Sequence, residues 1–240
     1  MNAARSSACR AAFAAMFLAA GLTAFPAAAQ WGGSLTLSSQ ARLRGQPVSD
    51  HRPVVALELV HDDPGGFYLG GSASVVASGD SGLQPLAFIQ YAGFARRLPH
   101  GLVMDMGIVH GGYTEYSEIA EGGSYTEAYV GLIGPHLSGH LFLSPAYFHH
   151  DRPTLYAELE GHVDIARNTS LFAHAGLLAQ LRGGADPTRG NVVDWRIGMR
   201  RRFGRIDAEA AWTGFTEDKG GYARRDRKNG ALVLAIAYAF

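Results

Sequence analysis

Twelve charged side chains sit at alternate positions of otherwise apolar runs: the acids Glu58, Asp105, Glu127, Glu158, Glu160, Asp194, Asp207 and Glu209, and the bases Arg42, Arg44, Arg196 and Arg200. Brought to one surface, carboxylates and guanidinium groups have two uses. Around water they set the ion preference of a passage, and eight acids against four bases lean toward cations. In a narrow, filled interior they pair across neighbouring strands. A turn centred on Phe203-Gly204 would place Arg200 opposite Asp207 as one such pair.

Other residues carry catalytic or ligating chemistry, and each has a plainer reading. Gly79-Asp80-Ser81-Gly82 has the composition of a serine-protease nucleophile stretch, but it is also ordinary turn composition in a loop. His140 and Ser144 share a strand face near His162 and His174, which would suit a lipid hydrolase only if that face met lipid. Their alternation points them inward. His149-His150-Asp151 could ligate zinc or nickel, yet adjacent residues rarely converge on one ion. Lys219, Arg224, Arg225, Arg227 and Lys228 form a basic cluster whose guanidinium groups suit lipopolysaccharide phosphates. The expectation is no catalytic residue, no metal site and no cofactor.

The elements that must position these groups begin after an export signal. Arg5 and Arg10 precede an apolar run from Ala11 to Phe25, and Ala27-Ala28-Ala29 has the small residues of a cleavage site. Residues 1–29 read as a cleaved signal peptide and 30–240 as a single domain. Cleavage removes two arginines and no acid, leaving 19 bases against 21 acids, a net charge of −2. The only cysteine, Cys9, goes with the signal, so the body contains neither disulfides nor cysteine-based metal sites. With 18% charged residues and 31 glycines in 240, the chain does not have the make-up of a nucleic-acid binder or a coiled coil.

From Ser34 onward the chain alternates with period two, the signal of a strand with two unlike faces. Leu35, Leu37, Ala41 and Leu43 oppose Thr36, Ser38, Gln40, Arg42 and Arg44 along a first strand. Leu102, Met104, Met106 and Ile108 oppose Val103, Asp105, Gly107 and Val109. Ile206, Ala208, Ala210 and Trp212 oppose Asp207, Glu209 and Thr213. The apolar faces carry almost no charge, the inversion expected of a wall wrapped by lipid. Connections alternate between tight turns at 62–65, 97–100, 134–136 and 203–205 and long polar loops at 45–52, 78–84, 111–124, 145–153, 181–192 and 216–229. The chain closes on Leu232, Leu234, Ile236, Tyr238 and Phe240, an apolar stripe ending in aromatic residues. This ending is similar to the terminal signal read by the outer-membrane barrel-assembly machinery. The expectation is an all-β fold, an antiparallel transmembrane outer-membrane β-barrel of twelve strands (alternatives 10 or 14).

Several stretches resemble the Gcw_chp family, also called the TorF family, of proteobacterial outer-membrane proteins of unknown function. These are Gly33 to Ser39 with Arg42-Leu43-Arg44-Gly45, Gly101 to Gly107, Tyr125 to Gly131, Leu137 to Phe148, and Asp194 to Gly198. Gln40-Ala41 and Gly139-His140 depart from the pattern. The resemblance implies a barrel with a porin role in the outer membrane of a Gram-negative bacterium, and it brings no catalytic residues. The expected function is passive diffusion of small hydrophilic solutes, with selectivity set by lumen charges. The alternatives are a plugged structural barrel acting through its outer loops and an outer-membrane lipid hydrolase. Expected partners are outer-membrane lipids and lipopolysaccharide, the assembly machinery during biogenesis, and the solutes. Nucleic acid is not among them.

Overall fold

The computed structural model describes residues 30–79, 81–117, 122–148, 153–181, 191–216 and 230–240. Alternation becomes strand around the whole wall, with one exception at the end of the first run. The strands are β1 (Gln30–Ser38), β2 (Arg42–Leu43), β3 (Gln46–Pro47), β4 (Val54–Asp62), β5 (Phe67–Ser78), β6 (Gly82–Arg97), β7 (Val103–Tyr113), β8 (Ser124–Ile133), β9 (Leu137–Ser144), β10 (Thr154–Ala166), β11 (Thr169–Gln180), β12 (Val192–Phe203), β13 (Ile206–Phe215) and β14 (Gly230–Ala239). All but β2 and β3 pair with their chain neighbours, and β1 pairs with both β4 and β14, giving a closed antiparallel barrel of twelve strands. At the seam, Gly33 N–H donates to Phe240 O at 3.1 Å and Phe240 N–H donates to Gly33 O at 3.0 Å. Closure leaves no sheet edge, so every strand spends its backbone groups internally, as a strand crossing hydrocarbon must.

The two faces are inverted relative to a water-soluble protein. Leu35, Leu59, Phe88, Ile108, Leu141, Ile197 and Trp212 point outward and are exposed, whereas Asp105 is 0% and Glu127 2% exposed on the inside. So large an apolar surface is unfavourable in water and favourable against lipid tails. Leu232, Leu234, Ile236, Tyr238 and Phe240 all lie on this outer surface.

Gln30 and Phe240 share one end of the barrel with the short connections 63–66, 98–102, 134–136, 167–168 and 204–205. The expected long loop at 78–84 is only residues 79–81, because Ala77 still pairs with Leu83 and Ser78 with Gly82. The expected first strand is also shorter than its alternation suggested. It ends at Ser38, and residues 39–53 turn into the barrel, where residues 40–49 are all buried regardless of parity. Arg44 (φ 50°) and Gly45 (φ 75°) form the two-residue turn between β2 and β3. Positive φ at both positions matches the tight hairpin turn that follows strand twist. Pro47, which cannot donate to a ladder, lies opposite Arg42, and Val48 N–H beyond it still donates to Ala41 O. Arg42 and Arg44 therefore reach the lumen from an in-folded loop and not from the wall.

Candidate functional site

The lumen has an aromatic side and a charged side, with the in-folded loop between them. Tyr68, Tyr91, Tyr113, Tyr125, Tyr129, Phe142 and Tyr156 of β5–β10 pack with Leu43 and Val48 of the loop into one buried cluster. Burying each of those two aliphatic side chains favours the in-folded state by about 1.5–3 kcal/mol. Backbone and hydroxyl groups fix the loop's shape. Val48 N–H donates to Ala41 O at 3.0 Å, Ala41 N–H to Ser49 Oγ at 2.9 Å, and Ser49 Oγ–H to Arg52 O at 2.8 Å. Gly45 is required at the tip, since a Cβ there would overlap the Gly214 carbonyl and crowd the Asp194 side chain.

Arg44 ties the loop to the opposite wall. Its Nη2 donates to both carboxylate oxygens of Glu127, at 2.8 and 2.7 Å, and the two side chains are 5% and 2% exposed. The guanidinium lies 3.9 Å from the Tyr156 ring centroid and 4.7 Å from that of Tyr147, both within cation–π range. The partners are 83 residues apart in the chain.

The remaining inward charges form short networks on the wall. Tyr68 O–H donates to Asp105 at 2.6 Å and also meets the Tyr129 hydroxyl. His140 lies 3.8 Å from Asp105 and 3.5 Å from Glu158. Tyr156 O–H donates to Asp194 at 3.1 Å, His174 Nε2 is 3.0 Å from the same carboxylate, and Tyr91 O–H donates to Glu58 at 3.0 Å. On β12 and β13, Arg196 and Arg200 both donate to Glu209, and Arg202 donates to Asp207 at 2.9 Å. Glu160, half-buried, shares the electrostatic neighbourhood of Arg196 and Arg200. The expected Arg200–Asp207 pair is replaced by Arg200–Glu209 and Arg202–Asp207, because Phe203 pairs with Ile206 and the turn is Gly204-Arg205. Glu209 has two arginines, so Arg200→Ala is expected to cost only about 0.5–1.5 kcal/mol in urea unfolding of the detergent-solubilised barrel.

The structure thus places all twelve sequence-derived lumen residues inside the barrel, ten on the wall and two on the loop. Their tyrosine and histidine partners were not singled out as such. The signal was there, since Tyr129 and Tyr156 share parity with Glu127 and Glu158. Ser144 and His140 do face inward, and Ser144 Oγ–H donates to the Thr126 carbonyl at 2.8 Å instead of engaging the imidazole. Residues 1–29, where a signal peptide is expected, lie outside the described residues, as do Asp80, His149-His150-Asp151 and the basic cluster Lys219 to Lys228.

Between the loop and the β11–β14 wall remains a cavity of about 70 Å³ lined by Thr36, Gln40, Arg42, His174, Asp194 and Glu209 among others. Arg42 belongs to the loop and not to a spanning strand. Desolvation by burial lowers it to about 10, so it stays protonated at neutral pH.

A family model described as a bacterial protein of unknown function (Gcw_chp) matches residues 26–238. No curated protein matches the chain in sequence. Among solved structures, the KdgM porin in complex with disordered oligogalacturonate superposes with a TM-score of 0.55 at 8% identity, covering 87% of this chain and 99% of that one. The NanC porin gives 0.56 at 9% identity, with coverage of 87% and 99%. An outer membrane channel from Pseudomonas putida F1 gives 0.50 at 13% identity, with coverage of 90% and 96%. At these identities the likeness is one of fold: a porin-like barrel.

Proposed function

From the premise that this chain belongs to the Gcw_chp family of bacterial proteins of unknown function, we propose that it is an outer-membrane channel for passive diffusion of small hydrophilic solutes, narrowed by its own loop. The observation that carries this reading is the access to water kept by charges inside a lipid-facing barrel. The side chains of Arg196, Arg200 and Arg202 are 19%, 20% and 40% exposed while paired to carboxylates that are 4% exposed. Charged groups at the wall of a water-filled path set which ions and solutes pass. The outer apolar belt supports residence in a bilayer, and the terminal stripe from Leu232 to Phe240 supports recognition by the assembly machinery during insertion.

A second reading, a plugged barrel, is favoured by one observation: residues 40–49 are buried throughout. Planar-bilayer recording separates the two. The wild-type chain is expected to show small stepwise conductances, and a variant with residues 40–49 replaced by a short Gly-Ser linker is expected to show steps several-fold larger. Steps from the shortened variant alone would establish the plug. Silence from both would overturn the channel.

A further inference from the structure

We propose that the cavity between the in-folded loop and the β11–β14 wall is a binding site for a small carboxylate, with Arg42 as its cationic anchor. The proposal rests on the channel reading and names the solute class held beside the in-folded loop. Its basis is a buried guanidinium that no carboxylate pairs with among the described residues. The charged residues lining the cavity are Arg42, Arg44, Arg196, Asp194 and Glu209. Arg44 is neutralised by Glu127, Glu209 receives Arg196, and Asp194 is held by His174 and Tyr156. Arg42 makes one hydrogen bond, from Nη1 to the Gly45 carbonyl at 2.5 Å. Its Nε and Nη2 have no partner, and among the described residues no carboxylate pairs with it, although it is only 7% exposed.

A buried guanidinium without a counter-charge is costly, and an anion removes the cost. The Nε–Nη2 edge presents two parallel N–H donors at the spacing of carboxylate oxygens. Thr36 and Gln40 line the same cavity, and their Oγ1 and Oε1 atoms are buried and unpartnered. A threonine hydroxyl can donate to the second carboxylate oxygen, and the amide oxygen can accept from a solute hydroxyl. Size points the same way. A cavity needs only about 10–15 Å³ open to a water-sized sphere to hold a water, so one of about 70 Å³ has room for a carboxylate head. Arg42 is thus the one arginine lining the cavity that no carboxylate pairs with among the described residues.

Saturation-transfer NMR of sodium acetate titrated onto the full chain refolded in detergent tests the site. Wild type is expected to bind acetate saturably. Arg42→Gln should weaken binding by at least about tenfold, the worth of a lost charge-assisted hydrogen bond. Arg42→Lys, which keeps the charge but lacks the fork, should weaken it several-fold while preserving the fold. The heat-modifiable gel mobility of each variant reports an intact barrel. Absence of saturable wild-type binding, an Arg42→Gln variant that binds like wild type, or displacement of acetate by equimolar chloride would overturn the proposal. Binding in detergent does not require conduction, so acetate binding with silent bilayers sinks the channel and leaves the site. Conduction without acetate binding does the reverse.

Discussion

Replacing Arg44 by alanine is expected to lower the unfolding free energy of the barrel by about 3–5 kcal/mol and to raise its single-channel conductance. Both effects come from one contact. Glu127 is 2% exposed, and its two oxygens each accept from Arg44. Removing the guanidinium leaves a buried carboxylate without its ion-pair partner, which costs far more than the pair gains over an apolar substitute. The loop also loses its grip on the aromatic wall, since the same guanidinium stacks on Tyr156 and Tyr147. Urea unfolding and bilayer recording of one preparation check the two parts. The double variant Arg44→Met with Glu127→Leu removes both charges and keeps side-chain bulk, so it should recover most of the stability. If the double variant is as unstable as Arg44→Ala, the buried charge is not the cause. If Arg44→Ala conducts like wild type, the pair does not hold the constriction.

Gly176→Ala is the second large effect, expected at about 1–3 kcal/mol from overpacking, with about 1–3 kcal/mol more for each polar partner left unsatisfied. Gly176 faces inward on β11, and a Cβ there would overlap the Tyr156 hydroxyl and sit 2.5 Å from Asp194 Oδ2. The tyrosine cannot swing away cheaply, because its hydroxyl is bonded to Asp194 and lies 3.1 Å from His174 Nε2. Tyr156 also forms part of the cradle of Arg44, so the disturbance reaches the loop. Gly79, whose added Cβ would meet nothing within 4 Å, is the control. Its change to alanine should stay within about 0.5 kcal/mol. Equal losses at the two positions would show that the inner wall tolerates a methyl group at Gly176.

The same packing accounts for several other wall glycines. Gly70, Gly93, Gly107 and Gly131 each lie directly across from an aromatic or imidazole ring on the next strand: Tyr91, Tyr68, Tyr129 and His140. Each ring lies over the glycine Cα, where a Cβ would collide with it. This is how a narrow barrel holds so many rings on one side.

What the sequence determined by itself is the wall. Period-two alternation assigns every strand residue to one of two faces, and the identity of the apolar face follows from where the charges are. Asp105, Glu127, Glu158, Asp194, Asp207 and Glu209 are buried inside as that parity requires, and Leu232 to Phe240 lie outside. Twelve strands followed from counting such runs. Tertiary structure alone decided what fills the wall. Parity continues unbroken through Arg42 and Arg44, so alternation cannot show that β1 stops at Ser38. The left-handed turn at Arg44-Gly45 and the bond to Glu127, 83 residues away, turn that segment inward. The register of the β12–β13 hairpin was likewise set by its turn, and it gave Asp207 to Arg202. Faces are a local property, because each residue's direction follows from that of its neighbour. The contents of a lumen depend on the barrel's diameter and on which walls face each other, and those exist only once β14 has closed on β1.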